Sequence, residues 1–226
     1  MNNKYHLVRV IYLLFILQLI IVSVNAQKNI EHEIIKVSEA NFKKYLEKIP
    51  YGHEDYYGFQ NRNEFEQVVV GEPYQILYLT NIEMPEDSIN YDNLITYSDS
   101  WEVPLLVNKE KRCFLHVQKI IKEYKVVGIG YNMVANELNE TETRAIFNNK
   151  KVNKSILYLP SIKGVYLLRD SLGNKNSRDL KFIPLGSTLK HVHDIKKETY
   201  SGVLIEYSMR DFMHVIKVKY NQILNS

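Results

Sequence analysis

The feature that most restricts how this chain folds is a series of three apolar runs separated by short polar breaks. The runs cover residues 101–107, 112–121 and 124–129. Breaks of only a few residues are typical of hairpin connections between antiparallel strands. The sequence therefore predicts a β-meander over 101–129, with one face packed by helices and the other partly exposed to water. On the packed face we expect Val103, Leu105, Val107, Cys113, Leu115 and Val117.

Helical periodicity flanks this meander on both sides. The pattern of apolar residues predicts helices over 38–49, 132–147 and 209–224. Ser38 and Ser208 are expected to cap the first and the last of them, because a serine hydroxyl accepts a hydrogen bond from a free amide of the first turn. Helices combined with an antiparallel meander predict an α+β fold, in which helices pack on the sheet.

The chain divides into two predicted halves of similar style. The first, 27–150, contains the helix over 38–49, the meander and the helix over 132–147. The second, 151–226, carries further strand-like runs and ends in the helix over 209–224. The residues alone leave open whether the two halves share one sheet or form two small α+β units.

The first twenty-six residues have the pattern of a secretory signal. Lys4 and Arg9 precede an apolar run over 10–24, and Ala26 offers a small residue at the cleavage position. The run is about fifteen residues long, short of the roughly 20 that cross a bilayer, so we expect cleavage and no stable membrane insertion afterwards. The alternative is an uncleaved signal that remains as an anchor. The expected location is the periplasm, the cell envelope or the extracellular space.

Charge and cysteine content exclude two classes of protein. The chain has 29 basic and 26 acidic side chains, and removal of Lys4 and Arg9 with the signal leaves a net charge of +1. A nearly neutral protein has no general electrostatic attraction for nucleic acid. Cys113 is the only cysteine, so an exported form depends on packing and not on internal disulfides.

Tyrosine is unusually frequent, with 17 residues, and several of them fall in a polar segment after the first helix. Tyrosine rings combine a rigid apolar surface with a hydroxyl group, which suits recognition of a protein, peptide or glycan partner. We therefore predict a binding surface on this aromatic loop, residues 51–59, extended by one tryptophan of the meander. The predicted ligand-binding residues are Tyr51, Tyr56, Tyr57, Phe59 and Trp101.

A metal site is the main alternative. In an extended segment, His191 and His193 share a face, as two zinc ligands do. With a third ligand they predict an exported metal-dependent hydrolase. Cys113 and His116 are three residues apart in a strand, so their side chains point to opposite faces and do not form a nucleophile–base pair. The chain has no nucleophile elbow, P-loop or complete dinucleotide loop, and no cofactor is predicted.

Three short segments together resemble exported bacterial α+β domains of unknown function. They are Gly71-Glu72-Pro73-Tyr74, the W-x-V-P-L-L-V segment over 101–107, and Val126-Val127-Gly128-Ile129-Gly130. The likeness covers about residues 65–140. It implies a small envelope module in which a helix packs on a curved sheet, and it implies no activity and no site residues. The expected function is that of a non-catalytic binding module.

Overall fold

The computed structural model describes residues 3–79, 94–144, 152–162, 164–171, 180–186, 188 and 206–224. Three short 3-10 helices, Glu54–Tyr57, Arg62–Gln67 and Pro160–Ile162, connect the longer elements. The α-helices are α1 (Asn3–Leu46), α2 (Asn132–Arg144) and α3 (Met209–Leu224). The strands are β1 (Val69–Val70), β2 (Tyr74–Leu79), β3 (Ile95–Val107), β4 (Glu110–Ile120), β5 (Glu123–Gly130), β6 (Val152–Leu159), β7 (Gly164–Ser171) and β8 (Lys181–Pro184).

The eight strands found in the described residues form one mixed sheet. Its order is β5-β4-β3-β2-β6-β7-β8, and β1 pairs with β3 beside this path. The meander β3–β4–β5 is confirmed, and its first turn is Asn108-Lys109, with φ values of 53° and 70°. Positive φ at both turn residues gives a hairpin the twist of its strands. The mostly antiparallel sheet packed with helices confirms the predicted α+β fold class.

One parallel pair joins the two predicted halves. Strand β2 belongs to 27–150 and β6 to 151–226, and their backbones pair from Gln75 opposite Ser155 to Tyr78 opposite Tyr158. Every other pair among the described strands is antiparallel. Strands of both halves therefore lie side by side in one sheet, and the boundary at residue 150 stays a prediction.

Helices α1 and α3 cover one face of this sheet at its two ends. The carboxyl-terminal part of α1 packs on the predicted apolar face of the meander, where Val103, Leu105, Cys113, Leu115 and Val117 are completely buried. On the other half, α3 packs with Phe212 stacked on Phe182 at 4.0 Å between ring centroids. The alternation of side chains along β2 and β6 places Leu77 and Leu157 on this same face.

Helix α2 packs on the opposite face, over the middle of the sheet. Val134, Ala135 and Leu138 contact a buried cluster that includes Phe114 and Ile156. Phe114 is two residues before His116 on β4, and Ile156 is two residues before Tyr158 on β6. His116 and Tyr158 therefore lie on the α2 face, next to the area that the helix covers.

The predicted start of the first helix is wrong. The helix begins at Asn3, includes the segment 27–37 and ends at Leu46, three residues before the predicted end at Ile49. Ser38 is a buried residue inside the helix, and its hydroxyl donates to the carbonyl of Ile34 at 2.8 Å. The physical reason is that no proline or glycine occurs before Pro50, so nothing interrupts the helix at the predicted cap.

The last helix matches its prediction of 209–224. The amide of Asp211 donates to the hydroxyl of Ser208 at 3.3 Å, as expected for the cap. Helix α2 begins at Asn132 as predicted, and positions 145–147 of the predicted helix lie outside the described residues. Among the helices that the structure describes, none combines the length and the apolar character needed to cross a membrane.

Candidate functional site

The structure divides the five predicted ligand-binding residues into two groups. Tyr51 and Tyr56 are exposed, with 85% and 69% of their surface accessible. Tyr57 is half-buried at the edge of the core under α1. Phe59 and Trp101 are buried in that core, at 1% and 5% exposure. The aromatic loop therefore presents Tyr51, Tyr56 and part of Tyr57 to a partner, and these three stay a prediction.

For Phe59 and Trp101 the structure requires a correction. Phe59 packs edge-to-face on Phe65 at 5.0 Å between centroids, and Trp101 packs in the same way on Tyr124. Trp101 and Val103 are two residues apart on β3, so their side chains lie on the same face of the sheet, which α1 covers. Both rings contribute apolar burial and are not available to a ligand at the surface.

The exposed part of the aromatic loop is held in place by its own contacts. The guanidinium of Arg62 stacks on the ring of Tyr51 at 3.7 Å and pairs with Glu54 at 3.0 Å. Gly58 has a φ of 79°, and a Cβ at this position would overlap the carbonyl oxygen of Arg112. Only glycine fits this close approach of the loop to β4. The tyrosines are thus presented on an ordered surface.

The predicted metal ligands His191 and His193 lie outside the described residues. Within the described ranges, no group of three or more His, Cys, Asp or Glu side chains is arranged to hold a metal ion. The metal-dependent hydrolase therefore stays a prediction. Elemental analysis of the purified protein tests it, since stoichiometric zinc that disappears in His193→Ala would establish these ligands.

Cys113 and His116 lie on opposite faces of β4, as their spacing predicts. Cys113 is completely buried under α1, and this burial raises the pKa of its thiol. His116 lies on the α2 face and is partly exposed. Because the thiol and the imidazole cannot meet, they form no nucleophile–base pair.

Sequence reasoning missed the site that the α2 face contains. Glu102 is only 1% exposed, although it carries a carboxyl group in the middle of β3. Its backbone is the register partner of His116 on β4, and its Oε1 lies 3.2 Å from Nδ1 of that histidine. Its second oxygen, Oε2, is buried and has no hydrogen-bond partner among the described residues. A buried polar atom of this kind is rare in folded proteins and calls for an explanation.

Three tyrosines accompany this pair. Tyr78 and Tyr158 are register partners on β2 and β6, and Tyr131 precedes α2. The ring centroids of Tyr131 and Tyr158 are 6.1 Å apart, with the rings tilted by 40°. The hydroxyl of Tyr158 is also buried and makes no hydrogen bond to the part of the chain that is described. We call Glu102, His116, Tyr78, Tyr131 and Tyr158 the Glu102 site.

The neighbouring edge of the sheet leaves space beside His116. Gly128 and Gly130 on β5 are the register partners of His116 and Phe114. A Cβ on Gly130 would meet nothing within 4 Å, and one on Gly128 would meet only the Cβ of His116 at 3.9 Å. The two glycines therefore leave this part of the α2 face without side chains.

The electrostatics of the Glu102 site follow from burial and from one hydrogen bond. Burial raises the pKa of Glu102, although the hydrogen bond and charge of His116 act in the opposite direction. The same hydrogen bond raises the pKa of His116 above its ordinary value. Burial, followed by the charge of Glu102, raises the pKa values of Tyr131 and Tyr158. Both shifts strengthen proton binding by the Glu102–His116 pair, and burial favours the neutral hydroxyls of Tyr131 and Tyr158.

A second glutamate, which is partly buried on the same face, has both of its carboxylate oxygens engaged. Glu142 of α2 accepts from Lys111 at 2.6 Å and from Lys154 at 2.8 Å. Tyr74 donates its hydroxyl to Glu142 at 2.8 Å. Burial alone would raise the pKa of Glu142, but the two lysines lower it. We call Glu142, Lys111, Lys154 and Tyr74 the Glu142 cluster.

The sequence contained one signal for the Glu102 site. Glu102 is the single charged residue in the run Trp101–Val107, and alternation places it opposite the apolar face. The contribution of the tyrosines was not visible, because Tyr78, Tyr131 and Tyr158 come together only through the β2–β6 pair and the start of α2.

In comparisons with known proteins, the chain matches no protein-family model, no curated protein and no solved structure.

Proposed function

We propose that this protein is an exported binding module that holds a small polar ligand at the Glu102 site and performs no catalysis. The observation that carries this proposal is the buried Oε2 atom of Glu102, which has no partner among the described residues. A ligand that donates a hydrogen bond to this atom would supply the missing partner.

The energetics favour such a ligand. A buried polar group without a partner costs about 1–3 kcal/mol, and more when it is charged. A ligand that donates to Oε2 recovers this free energy on binding, while the tyrosine rings contribute apolar contact with little loss of side-chain freedom. A polar group that is unsatisfied in the free protein is thus a source of affinity.

Access to the carboxyl group depends on Tyr131. Its side chain is 55% exposed and its φ is 62°, a backbone conformation that residues other than glycine adopt infrequently. Strained backbone of this kind is concentrated at binding sites. We expect the Tyr131 ring to move when a ligand contacts Glu102.

Export is supported by the amino-terminal sequence. Mass measurement of the protein recovered from outside the cytosol tests it. A mature chain that starts at Gln27 supports export with cleavage, and a full-length chain found only in the cytosol contradicts it.

The binding experiment uses the amide signals of Gly128 and Gly130 in NMR spectra of the isotope-labelled full chain. A mixture of small amines, polyols and carboxylic acids should contain compounds that shift these two signals saturably. The shifts should weaken strongly in Glu102→Gln and persist in Ile121→Ala, a control at an exposed position in the turn between β4 and β5. If no compound class shifts these signals in the folded protein, the proposed function is wrong.

The exposed tyrosines favour a second candidate, a surface for a protein, peptide or glycan partner on the aromatic loop. Its support is that Tyr51 is exposed and still held by Arg62. Replacing Tyr56 and Tyr57 together by Ala should abolish binding to an immobilised glycan panel without unfolding the protein. If the double variant unfolds, the half-buried Tyr57 ring is a core residue and this surface is reduced to Tyr51 and Tyr56.

A further inference from the structure

We propose that the ligand of the Glu102 site is an organic ammonium cation, whose charge is recognised by the Glu102 carboxylate and whose alkyl groups contact the rings of Tyr78, Tyr131 and Tyr158. This inference rests on the proposed function and names the chemical class of its ligand.

The first argument is the sign of the charge at the site. Glu102 and neighbouring tyrosines are the groups whose charges act on Tyr131 and Tyr158. The lysines on the same face, Lys111 and Lys154, are paired with Glu142. An anionic ligand would meet the buried Glu102 carboxyl group, whereas a cation that displaces the proton of His116 forms an ion pair with it.

The second argument is the choice of side chains around the carboxylate. The face of a tyrosine ring is negative and attracts a cation by about 0.5–2 kcal/mol, more when water is excluded. Tyr131 and Tyr158 lie 6.1 Å apart between centroids, and Tyr78 adjoins Tyr158 in the parallel register. Several rings beside one carboxylate are the arrangement that recognises methylated and alkylated ammonium groups.

The third argument excludes a hard metal ion as the occupant. Ca²⁺ and Mg²⁺ need about six oxygen ligands, most of them carboxylate, carbonyl or water oxygens. Within the described residues, no cluster of three metal-binding side chains occurs. A weakly hydrated organic cation needs one anionic partner and apolar contact, and the Glu102 site supplies both.

Binding of a cation should be coupled to the protonation of His116. Among the described residues, the charged group that acts on this imidazole is Glu102 on β3, and the register partner of His116 on its other side, on β5, is Gly128. An imidazolium and an ammonium compete for the same carboxylate, so binding of the ligand releases the proton. We therefore expect the affinity to rise with pH until the pH passes the raised pKa of His116 in the free protein.

The test compares choline with dimethylbutanol, its uncharged carbon isostere, on the isotope-labelled full chain at constant ionic strength. Choline should shift the amide signals of Gly128 and Gly130 saturably, and the isostere should shift them only weakly. Glu102→Gln should weaken choline binding by about tenfold or more. Tyr131→Leu, at an exposed position, should weaken it severalfold, and Ile121→Ala in the turn between β4 and β5 should leave it unchanged.

The outcomes separate this inference from the proposed function. Equal binding of choline and its isostere, or binding of polyols or carboxylic acids in place of amines, overturns the ammonium assignment and leaves a binding site at Glu102. Absence of any shift with every class of compound overturns both. Choline binding that survives in both Glu102→Gln and Tyr131→Leu shows that the cation binds elsewhere, and it also contradicts the assignment.

Discussion

The Glu102 site and the Glu142 cluster contain the same kind of residue on the same face of the sheet, yet their hydrogen bonding differs. The carboxylate of Glu142 accepts hydrogen bonds from two lysines and a tyrosine. The carboxyl group of Glu102 contacts one imidazole and leaves one oxygen without a described partner. The two lie close together, because Tyr74, which donates to Glu142, is the register partner of Glu102.

This difference separates a structural carboxylate from a candidate binding carboxylate. In the Glu142 cluster, α2 is joined to β2, β4 and β6 through side chains that satisfy each other. In the Glu102 site, the protein incurs the cost of burying a carboxyl group without full compensation. Burial alone therefore does not identify a functional carboxylate, and the count of its partners is more informative.

The largest expected effect comes from a matched pair of substitutions at the two glutamates. Glu142→Gln leaves two partly buried lysines without their carboxylate and should lower the free energy of unfolding by about 2–4 kcal/mol. Glu102→Gln removes a poorly compensated buried acid and should change it by less than about 1 kcal/mol. Urea unfolding of both variants measures this contrast. Similar losses in both would show that Glu102 is a structural residue as well.

The acid limb of the stability profile should depend on Glu142. Because the folded-state pKa of Glu142 is lowered, its contribution is complete above the ordinary glutamate value of about 4.3 and disappears as the pH falls through the folded-state value. Glu102 acts in the opposite direction, since its folded-state pKa is raised. Thermal unfolding between about pH 3 and about pH 7 should therefore show a shallower acid limb in Glu142→Gln than in the wild type. An unchanged slope would contradict the lowered pKa.

Two tyrosine-to-phenylalanine substitutions, one in the Glu142 cluster and one in the Glu102 site, should change the free energy of unfolding by smaller amounts. Tyr74→Phe removes a hydroxyl that donates to Glu142 and should cost about 1 kcal/mol. Tyr158→Phe removes a buried hydroxyl with no described partner and should be neutral or slightly stabilising. Denaturant midpoints of the two variants and the wild type, measured under the same conditions, test both expected stability changes. A clear loss for Tyr158→Phe would mean that its hydroxyl has a structural partner after all.

The smallest effect concerns the titration of His116. In the wild type, its pKa is raised by the hydrogen bond with Glu102. In Glu102→Gln this pKa should fall toward or below the ordinary histidine value, whereas Glu142→Gln should leave it unchanged. Histidine NMR signals followed against pH give both values. No difference between the two variants would mean that the Glu102–His116 contact is absent in solution.

Much of the fold was predictable because it depends on local patterns. The alternation of Val103, Leu105 and Val107 identified the packed face of the meander, and Ser208 with Asp211 identified the start of the last helix. The predicted start of the first helix was wrong because Ser38 is a good cap only when the preceding residues are not helical. Here the preceding residues are helical, and the serine hydroxyl bonds back to Ile34.

The candidate site was less accessible to sequence reasoning because it depends on contacts between distant segments. Tyr51 and Tyr56 were placed correctly on the surface, but their neighbour Phe59 and the distant Trp101 are core residues. Aromatic residues occur both in cores and on surfaces, so the residue type alone does not predict whether a ring is exposed or buried. Glu102 and Tyr158 meet only because β2 lies between β3 and β6, and no local pattern predicts that order.

The parallel pairing of β2 with β6 means that the centre of the sheet is completed late during synthesis, because β6 follows β2–β5 in the chain. A nascent chain that has reached Arg144 already contains β3, β4, β5 and the edge of β2 that later receives β6. Until residues 152–159 emerge, that edge presents unpaired backbone amides and carbonyls, and Tyr78 lacks its register partner Tyr158. The aggregation hazard of this protein is therefore greatest in an incomplete chain, at the centre of what will become its sheet.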